Sequence, residues 1–79
     1  MKLKVCYDCY HVNANGFDGL ELSEERIQEI LDGLSEFEGP YLLHNLYDEP
    51  HFVPPGVVPC GVCYSPLGGD RFTLLAEEL

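Results

Sequence analysis

Two Cys-x-x-Cys pairs, Cys6/Cys9 and Cys60/Cys63, stand near the two ends of a 79-residue chain that has no other cysteine. A hydrophobic core of this size contributes only about 3–5 kcal/mol, so such chains are usually stapled by disulfides, a metal or a partner. A tight Cys-x-x-Cys turn aims two sulfurs at one point, and two facing turns complete a tetrahedron around a single ion. The fifty residues between the pairs are enough for a helix and a strand to fold back and bring the turns together.

Three other uses of the cysteines compete with a closed metal site. A thioredoxin-type redox pair sits where a strand enters a helix, whose N-terminus lowers the thiol pKa. Neither pair precedes a recognisable helical pattern. Structural disulfides call for an oxidising compartment, and "MKLKV" leads into no apolar run of the kind a signal peptide or membrane span needs. A reducing cytoplasm is therefore expected, where paired cysteines more often bind metal. An iron–sulfur centre also accepts four cysteines, and spacing does not distinguish it from zinc. The favoured expectation is one structural Zn²⁺ held by Cys6, Cys9, Cys60 and Cys63, with no coordination position left for a catalytic water. His11, His44 and His51 are then surface or part-buried side chains rather than ligands.

The rest of the chain reads as α+β. "KLKV" alternates polar and apolar, as a strand with one solvated face does. Tyr10 to Ala14 continues it after the cysteine turn, up to the turn signal Asn15-Gly16. A helix is expected over about residues 23–38: Ser23 is a good N-cap, Glu24 and Glu25 suit the positive end of the dipole, and Gly39-Pro40 stops it. Ile27, Ile30, Leu31, Leu34 and Phe37 fall on one face at helical spacing, with Leu22 placed to staple onto Ile27. The opposite face carries Glu25, Glu29, Asp32 and Glu36, an acidic ridge. "YLLHNLY" and "RFTLLAE" read as strands, and the uncharged stretch from Pro50 to Gly69, with five of the six prolines, as a loop over the sheet. The expected fold is a small zinc ribbon in one domain spanning residues 1–79: a short antiparallel sheet of three or so strands with one amphipathic helix.

Both ends of the chain resemble small zinc-ribbon proteins of unknown function encoded by actinobacterial phages and prophages. Those begin with a Cys-x-x-Cys turn and an Ala-Asn-Gly segment, and end with Phe, then Pro-Cys-x-x-Cys-x-Ser-x-Leu-x-Gly-Asp-Arg. The matching residues are Cys6, Cys9, Ala14, Asn15 and Gly16, then Phe52, Pro59, Cys60, Cys63, Ser65, Leu67, Gly69, Asp70 and Arg71. The resemblance implies a phage origin and a structural zinc, and no activity. Tyr10 and Tyr64 stand where zinc turns often carry Gly, a departure that bears on turn geometry and not on the ligands.

Fourteen acidic residues face four basic ones, Lys2, Lys4, Arg26 and Arg71, for a formal charge of −10. One Zn²⁺ and four thiolates take this to about −12. Such a field repels phosphate backbones and anionic membrane surfaces and attracts basic partners. A nucleic-acid-binding ribbon is the alternative, with Tyr7, Tyr10 and Tyr64 to stack on bases and Lys2, Lys4 and Arg71 to meet phosphates. No nucleophile elbow surrounds Ser65 and no Gly-rich phosphate loop precedes a helix, so no catalytic activity is expected. The expected role is protein interaction with a basic partner, through the ridge of Glu25, Glu29, Asp32 and Glu36 or through the Pro-rich segment around Pro54, Pro55, Val57 and Val58.

Overall fold

A computed structural model describes all residues, 1–79. The longest strand, β4 (Gly69–Glu78), is the axis of the molecule, and every other strand pairs with it antiparallel. Strand β1 (Lys2–Val5) runs along one side, with Leu3 opposite Leu74 and Val5 opposite Phe72. On the other, β2 (Tyr41–Asn45) pairs from Tyr41 opposite Glu78 to Asn45 opposite Leu74. A three-residue strand, β3 (His51–Val53), pairs with the opening residues of β4, Gly69 to Arg71. The expected α+β class with a short antiparallel sheet is the observed one; the sheet has four strands, and the chain has two helices.

The additional helix is α1 (Tyr7–Asn15), which occupies the stretch expected to continue the first strand. Alternating apolar and polar residues in "YHVNA" resemble a half-buried strand, and few of these residues favour a helix on their own. Tertiary contacts overrule that local pattern. Cys9 and Val12 turn into the core, the Tyr10 hydroxyl donates to the Leu46 carbonyl at 2.6 Å, and the Tyr10 ring stacks on Phe72 at 5.1 Å. Asn13 Nδ2 donates to the Leu43 carbonyl and to Asn45 Oδ1, tying the helix to β2. Asn15-Gly16 is thus a helix stop and not a hairpin turn: Gly16 takes φ 72° and donates its N–H to Val12.

The second helix, α2 (Glu24–Ser35), begins where expected, with Ser23 Oγ accepting from the Arg26 N–H at 3.2 Å. Its regular turns end three residues before the expected stop at residue 38. Phe37 and Glu38 then both donate to Leu34, and Gly39 turns the chain at φ 106°. Ile30 and Leu34 are buried and Phe37 packs against the core, while Ile27 is part-buried and Leu31 lies 45 % exposed, outside the inward stripe. The four ridge acids, Glu25, Glu29, Asp32 and Glu36, are all exposed.

The core is small and its composition is unusual. Nine buried residues form it, and three of them are Cys9, Cys60 and Cys63, packed with Val5, Val12, Ile30, Leu34, Val62 and Leu74. The sulfur cluster is therefore part of the core and not an attachment to it. No helix is long and apolar enough to cross a membrane.

Candidate metal centre

Strand β1 delivers the first cysteine pair. Cys6 is the N-cap of α1 and Cys9 lies within its first turn, so the pair stands where a strand enters a helix. This overturns the expectation that neither pair precedes a helix, and with it the argument used against a redox pair. The positions of the sulfurs decide the matter instead.

The second pair sits in the turn Cys60 to Cys63, held against the outer edge of β1. Gly61 N–H donates to the Lys4 carbonyl at 2.8 Å, and Cys6 N–H donates to Cys60 Sγ at 3.3 Å. Val62 N–H also donates to Cys60 Sγ, at 3.4 Å, and Tyr64 N–H closes the turn on the Cys60 carbonyl at 3.0 Å. Tyr64 completes it in the left-handed conformation at φ 61°, the position where a Gly would be unstrained. Tyr10, by contrast, is an ordinary helical residue of α1.

All four Sγ atoms lie within 4.8 Å of one another. Two of the contacts join one pair to the other: Cys9 to Cys60 at 3.7 Å and Cys6 to Cys63 at 3.8 Å. A tetrahedron of sulfurs about 2.3 Å from a central ion has edges of about 3.8 Å. A disulfide would need about 2.05 Å, and all four cysteines are free. The arrangement has the donor set and the size to hold one metal ion.

Electrostatics point the same way. Four thiols this close cannot all ionise without a cation among them. Hydrogen bonds with Cys6 push Cys63 down to about 6, aided by Arg26, and push Cys60 well below the ordinary thiol range. The counterpart is that Cys6, through its bond with Cys60, and Cys9, through its bond with Cys6, are pushed up and keep their protons. A bound dication would replace those protons and let all four sulfurs act as thiolates.

Arg26 is a component of this site that the sequence reading overlooked. From the first turn of α2, its Nη1 donates to Cys63 Sγ at 3.0 Å, and its Nη2 donates to Cys6 Sγ at 3.2 Å and to Asp8 Oδ2 at 3.4 Å. Burial works against its charge, but the bond to Cys63 and the field of Cys63 and Cys6 hold it more firmly protonated than a free guanidinium. A signal was present: a cation three positions after the N-cap opposes the helix dipole, so its placement calls for an anion elsewhere. None of the three histidines joins the cluster. His11 Nε2 contacts the Asp18 carbonyl at 2.9 Å, His44 Nε2 lies 3.3 Å from Glu77, and His51 is exposed in β3.

The other singled-out residues disperse. Arg71 is 3 % exposed, and its Nη2 donates to the carbonyls of Val58 and Leu67. Tyr10 is committed to Phe72 and Leu46, while Tyr7 and Tyr64 are exposed. On the ridge, Gln28 donates to Asp32 at 2.7 Å and the Tyr64 hydroxyl to Glu36 at 3.4 Å. No protein-family model, curated protein or solved structure matches the chain.

Proposed function

We propose that the chain is a small acidic protein-interaction module, held together by a structural zinc and engaging a basic protein surface. Zinc suits a tetrahedral set of four thiolates, imposing no geometric preference of its own. A polynuclear iron–sulfur cluster would set its cysteines further apart, because iron and sulfide atoms lie between them. Four protein ligands leave no open position on the metal, so its role in this reading is structural and not catalytic. The resemblance of the chain ends to phage zinc ribbons makes a phage protein acting in the host cytoplasm the most specific form of this reading.

The distribution of charge carries the proposal. Of four basic side chains, Arg26 is spent on the sulfurs and Arg71 is buried among carbonyls, which leaves Lys2 and Lys4 exposed. Glu25, Glu29, Asp32 and Glu36 stand in solvent on one helix, with no exposed basic side chain on it. Like charges at this spacing repel one another, and they give a local field that steers a cationic partner. The same distribution weighs against the nucleic-acid alternative, since two of its expected residues, Tyr10 and Arg71, are occupied inside the fold.

A parallel capture from actinobacterial lysate tests the reading, using the wild type and a ridge variant with Glu25→Gln, Glu29→Gln, Asp32→Asn and Glu36→Gln. The wild type is expected to retain basic proteins in a salt-sensitive manner and the variant to lose them. Equal capture by both rejects the ridge. A gel-shift titration with duplex and single-stranded DNA is expected to show no complex at physiological salt. Micromolar binding with a steep salt dependence would favour the nucleic-acid reading instead.

A further inference from the structure

The four-sulfur site is not equally enclosed on all sides. Cys9 and Cys60 have no exposed surface and Cys63 very little, while Cys6 is only partly covered. Cys6 also lines a surface groove of about 690 Å³, together with Tyr7, Asp8, Arg26, Glu29 and Tyr64. Cys6 is thus the sulfur that a chelator, oxidant or alkylating molecule in that groove meets.

Arg26 lies across this open side. One guanidinium spans the two least buried sulfurs, with 3.0 Å to Cys63 and 3.2 Å to Cys6, and the Asp8 carboxylate holds its outer edge. Local helix energetics do not account for the residue, because a cation in the first turn of α2 opposes the dipole. The sulfurs do account for it. A divalent ion with four thiolates carries a net −2, and a guanidinium halves that charge while giving each outer sulfur a charge-assisted hydrogen bond. Such bonds orient a ligand and draw electron density from its lone pairs, which slows its reaction with electrophiles and its exchange off the metal.

We propose that Arg26 is the clamp of the metal site, closing its groove-facing side and protecting Cys6 and Cys63 from chelators and electrophiles. The inference rests on the zinc reading above. Arg26 acts through the ligands, and so is a positioning residue and not a ligand itself.

The test uses the zinc-loaded chain and its Arg26→Gln and Arg26→Lys variants. Two quantities are read: the rate of zinc transfer to a chromogenic chelator, and the order in which N-ethylmaleimide modifies the four cysteines, mapped by mass spectrometry. Arg26→Gln is expected to release zinc at least about tenfold faster, with Cys6 and Cys63 modified before Cys9 and Cys60. Arg26→Lys is expected to fall between, since an ammonium keeps the charge but cannot fork onto both sulfurs. A folded Arg26→Gln protein with wild-type release, or one whose cysteines react all at once, overturns the clamp. If Arg26→Gln does not fold, Arg26→Lys decides alone: faster release with the same order supports the clamp, and wild-type behaviour overturns it. Metal analysis before the chelator step separates the two failures. A chain purified without zinc sinks both readings, while a zinc-loaded chain indifferent to Arg26 sinks this one only.

Discussion

The Cα of Gly33 in α2 lies against the Val62 carbonyl so closely that a Cβ at this position would overlap it and meet the Val62 side chain as well. Gly33 is buried in the last turn of α2, within a helix, where glycine costs up to about 1 kcal/mol relative to alanine. The close approach seats the second cysteine turn on α2, and so brings Cys60 and Cys63 within reach of Arg26.

Gly33→Ala should therefore destabilise the protein although alanine is the better helix former. Overpacking of a fitted contact typically costs about 1–3 kcal/mol, and here the displaced element carries two cysteines of the sulfur cluster. Thermal melts of the zinc-loaded protein should show a lower Tm for the variant. An unchanged or raised Tm would mean that α2 and the turn separate without cost.

Removing the metal should unfold the chain and not merely loosen one end of it. Three of the nine core residues are cysteines of the cluster, so core and site form or fail together. Metal binding supplies about 10–16 kcal/mol to comparable small domains, several times what a core of this size provides alone. Chelation, or Cys60→Ser, should abolish near-native circular dichroism and dispersed NMR signals. A metal-free chain with native spectra would refute the metal as the staple.

Stability should fall on acidification. A group whose folded-state pKa is depressed contributes stability that is complete above its unfolded value and is lost as pH falls through the folded one. Cys63 has such a window, from about 8.5 in the unfolded chain down through about 6, with Cys60 displaced in the same direction. A bound dication moves the lower edge further down by keeping every ligand deprotonated. A Tm series with a zinc indicator should show stability falling and zinc released together between about pH 8 and about pH 4. Retention of zinc at constant Tm across that range would contradict the thiolate assignment.

Features with local causes were legible. The Ser23 cap bonds its own helix three residues on, and the spacing of Ile27, Ile30 and Leu34 is a property of helical geometry whatever packs against it. The strand pattern of "KLKV" follows likewise from period-two alternation, and "RFTLLAE" was legible as a strand after the Gly68-Gly69 turn. The cysteine set was legible because two unaccompanied pairs have few other uses in so short a chain.

What escaped the reading depends on distant partners. Residues Tyr7–Asn15 form a helix because Asn13 finds Leu43 and Asn45, and Tyr10 finds Phe72 and Leu46, contacts with no trace in the local pattern. The three residues of β3, between prolines, become a strand because the start of β4 has an edge to offer.

The chain's composition and spacing dictated its chemistry: four cysteine sulfurs to be gathered, an excess of carboxylates to be kept in water, and one well-formed amphipathic helix. Tertiary structure alone decided which sulfurs meet across the pairs, that Gly33 lets a helix touch the cysteine turn, and that Arg26 faces Cys6 and Cys63 rather than solvent. The division has a physical reason. Helix caps and periodicity are set by energies within a few residues, whereas a charge or a missing Cβ has meaning only beside the group that a folded chain brings to it.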